Sequence, residues 1–145
     1  MSTNRRFIAV PPETVWGVLA DPGSYAYWVV GSKRIRDADP SWPAAGSRFH
    51  HTVGFGPFTL DDHTDSVADD APRRLELRAK ARPLGLAEVI LELEPAGGGT
   101  TITITENPTG VQKPLALLPP LQWLVKARNR VSLARIEELA LARAG

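Results

Sequence analysis

The chain has 145 residues, 43% hydrophobic and 23% charged, which fits an ordinary globular protein and excludes a disordered or collagen-like chain. Its 17 basic and 16 acidic residues leave a net charge of +1, so the charge does not favour binding to nucleic acid or a membrane surface. The lack of cysteine excludes a disulfide scaffold, thiol catalysis and a cysteine-ligated metal.

The length predicts a single domain over residues 1–145, because there is too little chain for a second core of ordinary size. Met1–Val10 contains two arginines without an apolar run behind them, so no signal peptide is expected. No apolar stretch approaches about 18 residues, so no integral membrane segment is expected either. We therefore expect a soluble cytoplasmic protein.

The N-terminal part predicts one strand and two short helices. Asn4–Val10 is a short predicted strand, and a pair of prolines ends it. Thr14–Ala20 predicts a helix whose apolar face is formed by Val15, Val18 and Leu19. A second short helix is predicted over Pro22–Trp28, capped by the aspartate before it. Helices this short are marginal alone and must pack on something else.

From Val29 to about Glu106, period-two patterns predict antiparallel strands with one apolar and one polar face. Arg48–Phe55 alternates, with one face formed by Phe49, His51, Val53 and Phe55. Arg74–Lys80 alternates more clearly, with the apolar positions Leu75, Leu77 and Ala79. Two later segments show the same pattern at Val89, Leu91, Leu93 and at Ile102, Ile104. About six strands therefore follow the short helices.

Leu121–Ala142 predicts the longest helix, which begins after a pair of prolines. At about 100° per residue, Leu121 and Leu139 mark the centre of its apolar face. The flanking residues are Leu117, Leu118, Leu124, Val125, Val131 and Ile136. Because only the inner face of the sheet offers enough apolar surface, the helix is expected to pack there.

Several short motifs occur in a characteristic order. They are Pro11-Pro12-Glu13-Thr14-Val15-Trp16, Asp21-Pro22 with Trp28, Trp42-Pro43, Gly46-Ser47-Arg48-Phe49, Ala71-Pro72-Arg73-Arg74-Leu75 and Gly99-Thr100-Thr101. Over nearly its whole length the chain thereby resembles the START-like or Bet v 1-like helix-grip superfamily (SRPBCC). More narrowly, it resembles the bacterial polyketide cyclase/dehydrase and lipid-transport group.

The resemblance implies an α+β helix-grip fold. Such a fold has a curved antiparallel sheet of about seven strands around a long C-terminal helix, with two short helices after strand one and a cavity between sheet and helix. It implies no single activity, because the superfamily includes binders, carriers and enzymes.

Two charged residues are predicted to face inward. Arg128 lies within about 40° of the centre of the helix's apolar face, together with Ser132 and Arg135. Its stem could pack while its head reaches solvent, or its guanidinium could bind an acidic or carbonyl group of a ligand. Glu106 continues the inward phase of the last strand. It is either a strand-end carboxylate in solvent or a cavity carboxylate that pairs with Arg128 or acts as a base.

The segment Asp61–Asp65 is polar in both phases. Odd phasing would turn inward Asp61, His63, Asp65 and Val67. Even phasing would turn inward Asp62, Thr64, Ser66 and Ala68. We expect the odd set inside because Val67 favours burial, although a bulge would reverse the phase. An Asp–His pair two residues apart could then do acid–base work, and the alternative is a solvated strand whose charges resist edge pairing.

His51 shares the inward phase of Phe49, so it is the histidine expected inside. Metal binding by His51, His63 and Asp61 is conceivable across paired strands. The chain has only three histidines and no ligand-spacing signature, so we expect no metal and no cofactor. A structural or ligand-contacting imidazole is the preferred interpretation.

Most aromatic residues are expected in the core. Trp28 and Trp42 are singled out because the resemblance places a cavity mouth near the second short helix and neighbouring loops. Trp123 falls opposite the helix's apolar face, so it is exposed, covered by the preceding segment, or part of a dimer contact. Both a monomer and a homodimer are compatible with the sequence.

The predicted ligand-contacting residues are Trp28, Trp42, Phe49, His51, Phe55, Asp61, His63, Leu77, Val89, Leu91, Ile104, Glu106, Leu121, Leu124, Val125, Arg128 and Ser132. The candidates for catalysis are Arg128, Glu106, His51, His63 and Asp61.

The preferred function is binding or carrying a hydrophobic or aromatic small molecule, lipid-like or polyketide-like, in an internal and mostly apolar cavity. The alternative is an aromatase/cyclase-like or dehydratase-like enzyme. In it Arg128 would stabilise an enolate, and His51, His63 or Glu106 would move protons. That alternative requires several of these side chains to converge within hydrogen-bond reach. A third hypothesis is a regulatory or interaction protein without turnover.

Overall fold

The strands and helices follow the order that the sequence predicts. The computed structural model describes residues 2–30, 32–55, 57–80, 86–109 and 118–144. In this part of the chain the elements are β1 (Ser2–Ile8), α1 (Pro12–Leu19), a 3-10 turn (Pro22–Ser24), α2 (Tyr25–Trp28), β2 (Ser32–Ala38), β3 (Arg48–Phe55), β4 (Phe58–Asp70), β5 (Arg74–Lys80), β6 (Leu86–Ala96), β7 (Gly99–Thr109) and α3 (Pro119–Ala144).

The seven strands form one antiparallel sheet in the order β1-β7-β6-β5-β4-β3-β2. Consecutive strands pair as hairpins from β2 to β7, and β1 then pairs with β7 at one edge. The long helix α3 packs mainly over β1 and β7 and against α1 and α2. This is the α+β helix-grip architecture that the resemblance implies. Among the described residues, none of the helices combines the length and apolarity needed to cross a bilayer.

A tight turn and a close approach both require glycine where β6 meets β7. Ala96 pairs with Gly99, so Gly97 and Gly98 form a two-residue hairpin loop. Both have positive φ, +49° and +83°, which is the conformation of a type I′ turn and one that glycine adopts without strain. A Cβ on Gly99 would lie 2.4 Å from the carbonyl oxygen of Ile8, so a larger residue there would push β1 away from β7.

The first helix buries the face that the sequence predicts. Pro12 occupies the first turn, where its missing N–H costs nothing, and the buried residues are Val15, Val18 and Leu19. In the following turn, Asp21 accepts a hydrogen bond from the backbone N–H of Gly23 at 3.0 Å. These contacts direct the chain back under the sheet toward α2.

The buried face of α3 differs from the predicted one. Its buried residues are Val125, Asn129, Ser132, Leu133, Ile136 and Ala140. At about 100° per residue, their centre is rotated by roughly 70° from the predicted Leu121–Leu139 line. Leu121 and Leu139 are half-buried, and three predicted flanking residues, Leu118, Leu124 and Val131, are exposed. Leu117 lies outside the described residues.

The prediction of the helix face was wrong because it counted apolar side chains only. Small and polar residues, namely Asn129, Ser132 and Ala140, occupy buried positions, so the buried stripe carries fewer large apolar groups than the exposed side. A hydrophobic pattern alone therefore points to the wrong side of this helix.

Replacement of Ile136 by alanine tests this orientation. Ile136 is fully buried, so Ile136→Ala should lower the free energy of unfolding by about 3 kcal/mol through lost burial and the cavity left behind. Val131→Ala is the matched control on the exposed side and should change it by less than about 0.5 kcal/mol. Urea denaturation measures both, and equal losses would contradict the orientation of the helix.

Candidate functional site

The inner face of β4 carries the even-numbered residues, which corrects the predicted odd phase. Asp62, Thr64 and Ser66 are buried, whereas Asp61 and Val67 are exposed. His63 and Asp65 are partly exposed on the outer face. The acid–base pair expected from Asp61 and His63 therefore lies on the outer face of the sheet, away from the interior.

The pairing of β3 with β4 explains this phase. His51 lies opposite Asp62, and Phe49 lies opposite Thr64. Residues directly opposite each other in an antiparallel pair share a face, so an inward His51 turns Asp62 inward as well. Val67, whose apolar character favoured the odd phase, is the extra residue of a bulge between β4 and β5, where Ser66 pairs with Leu77 and Ala68 with Glu76.

His51 is buried inside the sheet, at 5% exposure, as its phase predicts. Its Nδ1 lies 3.3 Å from the hydroxyl of Ser32, and its Nε2 lies 3.4 Å from the hydroxyl of Thr64. The ring packs edge-on against Phe49, with centroids 5.2 Å apart. Asp62, also buried, is opposite in the pairing and completes a polar group on the inner face of β3 and β4.

Burial lowers the pKa of His51 from 6.5 to about 4. The Asp62 carboxylate opposes this effect, while Arg36, His63 and His50 add to the lowering. The imidazole is therefore neutral at pH 7, so one ring nitrogen donates a hydrogen bond and the other accepts one. Such a group offers a ligand hydrogen bonds without requiring a counter-charge.

The tryptophans predicted at a cavity mouth lie in the core. Trp28 and Trp42 both pack on Tyr25, with ring centroids 4.5 and 5.6 Å apart, and Trp42 also packs edge-on against Phe49 at 4.7 Å. Their indole N–H groups donate to the Ser24 hydroxyl at 3.2 Å and to the Leu19 carbonyl at 3.2 Å. Because these donors are already bonded within the chain, the two indoles form an apolar wall.

Tyr25 lies at the centre of this aromatic cluster. Its hydroxyl donates to the same Leu19 carbonyl at 2.8 Å, and burial raises its pKa well above the usual value. The phenol is therefore a structural donor that does not release its proton at neutral pH.

A second polar group lies at the other side of the inner face. Glu106 is buried, with an 8% exposed side chain, and accepts two hydrogen bonds from Nη2 of Arg128 at 2.6 and 2.8 Å. Asn129 adds a longer contact from Nδ2 at 3.4 Å. The Arg128 side chain is 32% exposed, so its head lies at the border between interior and solvent. Of the alternatives for these two residues, the structure shows the buried carboxylate paired with the arginine.

Small side chains occupy the inner face between the two polar groups. Ala79 of β5 pairs with Ala87 of β6, and Thr64 lies beside Ala79 because Asp65 pairs with Arg78. Ala79 and the inward-facing Val89 remain partly exposed although neither is on the outer face. A strip of small residues therefore crosses the middle of the sheet, in which Thr64 and Ala87 are buried and Ala79 is partly exposed.

The two polar groups lie on strands that are not neighbours. Glu106 is on β7 and His51 on β3, and three strands separate them. At the usual spacing of neighbouring strands, this is about 19 Å measured along the sheet. The carboxylate that lies opposite His51 in the pairing is Asp62.

The other predicted contacts divide into inward, outward and undescribed positions. Buried residues that share the interior are Leu77, Leu91, Ile104, Val125 and Ser132. Leu124 is 62% exposed and faces away from the sheet, which corrects its assignment. The side chain of Phe55 lies outside the described part of the chain.

His63 and Asp61 are on the opposite face from His51, so these three side chains do not converge on a metal. Among the described residues, no three His, Asp or Glu side chains are grouped so that they could hold a metal ion.

Sequence reasoning missed Asn129 and gave Asp62 and Thr64 only as the less favoured phase of β4. For Asn129, the signal is the spacing of Val125, Asn129, Ser132, Ile136 and Ala140 at helical intervals of three and four residues. For β4, the signal is the pairing partner, because the inward phase of a polar strand follows from its apolar neighbour.

The depressed pKa of His51 makes stability depend on pH. The unfolded chain takes up a proton near pH 6.5, whereas the folded chain resists doing so until about pH 4. The stability is therefore complete above about pH 6.5 and declines as the pH falls toward 4. His51→Gln lacks this imidazole, so its stability should not fall for this reason. The difference in unfolding free energy between the native protein and His51→Gln should therefore shrink as the pH falls from about 6.5 to about 4. His50→Gln, on the outer face, is the control, and a matching pH profile in both variants would contradict the assignment.

Substitutions of the ion pair should have unequal effects. Arg128→Leu leaves the Glu106 carboxylate buried with, among the described residues, only the long Asn129 contact, and should cost about 3 kcal/mol of stability. Glu106→Gln leaves an arginine that can reach water, so the loss should be about 1 kcal/mol. Urea denaturation of both, and of the Arg128→Leu/Glu106→Gln double variant, measures the coupling. A larger loss in Glu106→Gln than in Arg128→Leu would contradict this expectation, because it would mean that leaving Arg128 unpaired costs more than leaving Glu106 unpaired.

Comparisons with known proteins agree with this fold. Residues 2–140 match the family model described as polyketide cyclase/dehydrase and lipid transport. Similar solved structures include a protein from Nitrosomonas europaea, with 20% identity over 97% of this chain and 93% of that chain and a TM-score of 0.72. Another is Ara h 8.0201, with 18% identity over 97% and 96% and a TM-score of 0.71.

A third similar structure is the di-domain ARO/CYC protein StfQ of the steffimycin biosynthetic pathway. It shares 13% identity over 99% of this chain and 51% of that chain, with a TM-score of 0.75. At these identities the likeness establishes the fold. No curated protein matches the chain in sequence. Because the family model spans almost all of the described residues, the chain belongs to the polyketide cyclase/dehydrase and lipid-transport family.

Proposed function

We propose that the protein binds a hydrophobic or aromatic small molecule between the inner face of the sheet and α3. The observation that carries this proposal is the strip of small side chains, Thr64, Ala79 and Ala87, across the middle of an otherwise well-filled interior. Small residues on the inner face leave space that a ligand can occupy, and the partly exposed Ala79 and Val89 supply apolar surface for it.

Polar groups on both sides of the strip define the chemistry of the ligand. On one side the neutral His51 and the Thr64 hydroxyl can donate and accept hydrogen bonds. On the other side Arg128 has donors beyond those that bind Glu106 and reaches the solvent border. This arrangement suits a mostly apolar molecule with a hydroxyl or carbonyl group at one end and an acidic or carbonyl group at the other. With a net charge of +1, the chain has no general attraction for nucleic acid, which also favours a small molecule.

The geometry favours binding over the aromatase/cyclase-like alternative. His51, with a pKa of about 4, is a weak base at neutral pH, and Glu106 is already held by Arg128. His51 and Glu106 lie on strands four spacings apart, about 19 Å along the sheet, so they are not adjacent to each other. We propose that this protein recognises its ligand and does not convert it to a product.

Native mass spectrometry of the purified protein is the direct test. A bound lipid or aromatic compound would appear as a mass increment that is lost under denaturing conditions, and it could then be identified. A protein that carries no small molecule and binds no apolar probe would contradict the proposal.

A substitution that blocks the strip tests whether the ligand binds there. Ala79→Trp fills the strip from the inner face, and should weaken binding of the fluorescent probe 1-anilinonaphthalene-8-sulfonate by at least about tenfold. Arg78→Trp adds the same side chain at the adjacent exposed position on the outer face and should leave the affinity unchanged. Circular dichroism confirms that both variants fold. Equal binding by the two variants would move the ligand to another part of the molecule.

A further inference from the structure

An open groove of about 390 Å³ lies between the edge strand β1 and α3, apart from the interior strip. It is lined by Thr3, Asn4, Arg5, Arg6, Lys126, Arg130 and Leu133. Four of these seven residues are basic and none is acidic. Because the whole chain has a net charge of only +1, this positive charge is a local feature of the groove.

Most of the positive charge in the groove has no counter-charge. Arg6 is the exception, since its guanidinium donates to Glu137 at 2.8 and 3.0 Å and holds β1 against α3. Among the described residues, no carboxylate pairs with Arg5, Lys126 or Arg130. Lys126 and Arg130 are one helical turn apart, so their side chains extend from the same side of α3. An acidic ligand would supply the missing charges.

The groove also contains unused hydrogen-bonding groups. β1 is the last strand of the sheet, and no described strand pairs with its other edge. Every second residue of an edge strand directs its N–H and C=O groups away from its neighbour, so this edge can accept another strand. Asn4 donates from Nδ2 to the Lys126 carbonyl at 3.1 Å, which joins the edge strand to α3 beside the groove.

We propose that this groove binds an extended acidic peptide segment, which adds as a strand to the free edge of β1. The peptide backbone would pair with β1, and its carboxylates would bind Lys126 and Arg130. The same cations repel basic segments and leave neutral ones without ionic partners, so they select acidic sequences at an edge that is otherwise open to any strand.

A peptide accounts for more of these features than another anion does. A phosphate or a lipid headgroup would satisfy the cations but would not pair with the free edge of β1. The groove is also elongated in its lining, since it follows four consecutive residues of β1. A single extended chain matches that length through its backbone repeat.

The test uses a fluorescein-labelled peptide of alternating glutamate and threonine, added to the full-length protein at low ionic strength. Fluorescence anisotropy should show binding that is lost at about 1 M salt, where the Debye length falls to about 3 Å. Amide NMR shifts should concentrate in β1. The Lys126→Glu/Arg130→Glu variant should bind at least about tenfold more weakly. Arg34→Glu, an exposed reversal of the same kind on β2 at the opposite edge of the sheet, should bind as the native protein does.

Two further probes separate strand addition from simple charge attraction. A peptide of alternating glutamate and proline has the same charge but lacks half of the N–H donors, and it should bind at least about tenfold more weakly. At equal charge concentration, short-chain polyphosphate should displace the labelled peptide less effectively than the unlabelled glutamate–threonine peptide does. Failure of the glutamate–threonine peptide to bind, equal binding of the proline peptide, displacement by polyphosphate as effective as by the unlabelled peptide, or NMR shifts away from β1 would each overturn the proposal.

Discussion

The antiparallel pairing of β3 with β4 determines what the interior of this protein contains. Each strand alternates between the two faces, and residues directly opposite each other share a face. Since Phe49 and His51 point inward, the register of the two strands also brings Thr64 and Asp62 inside. The polar character of this part of the interior is therefore a consequence of register, because a shift by one residue would have placed His63 there instead.

The fold and the site differ in how far the sequence predicts them. Alternating apolar residues, the proline and glycine breaks and the long C-terminal helix are sufficient for the architecture, because burial of apolar surface decides these features locally. The inward phase of β4 is not local, since both of its phases are polar and its partner strand decides between them. The orientation of α3 was also missed, because buried Asn129 and Ser132 are held by packing and by contact with Glu106, which hydrophobic periodicity does not register.

The two polar groups of the interior differ in how they meet the cost of burial. Arg128 donates two hydrogen bonds to the buried Glu106, and this arrangement ties β7 to α3. His51 is neutral, so it needs only weak contacts with two hydroxyl groups. The first group therefore maintains the structure, and the second remains free to exchange its partners. A site in which one side is fixed and the other is adaptable suits recognition of a molecule better than coordinated proton transfer.

The bulge at Val67 divides β4 into two segments with independent roles. Before it, the inward residues are the polar Asp62, Thr64 and Ser66; beyond it the phase changes, and Asp69 lies opposite the core residue Leu75. Substitutions in the first segment alter the polarity of the interior without disturbing the pairing that supports the core in the second. The extra residue thus lets one strand direct polar side chains inward at one end and pair with a core strand at the other.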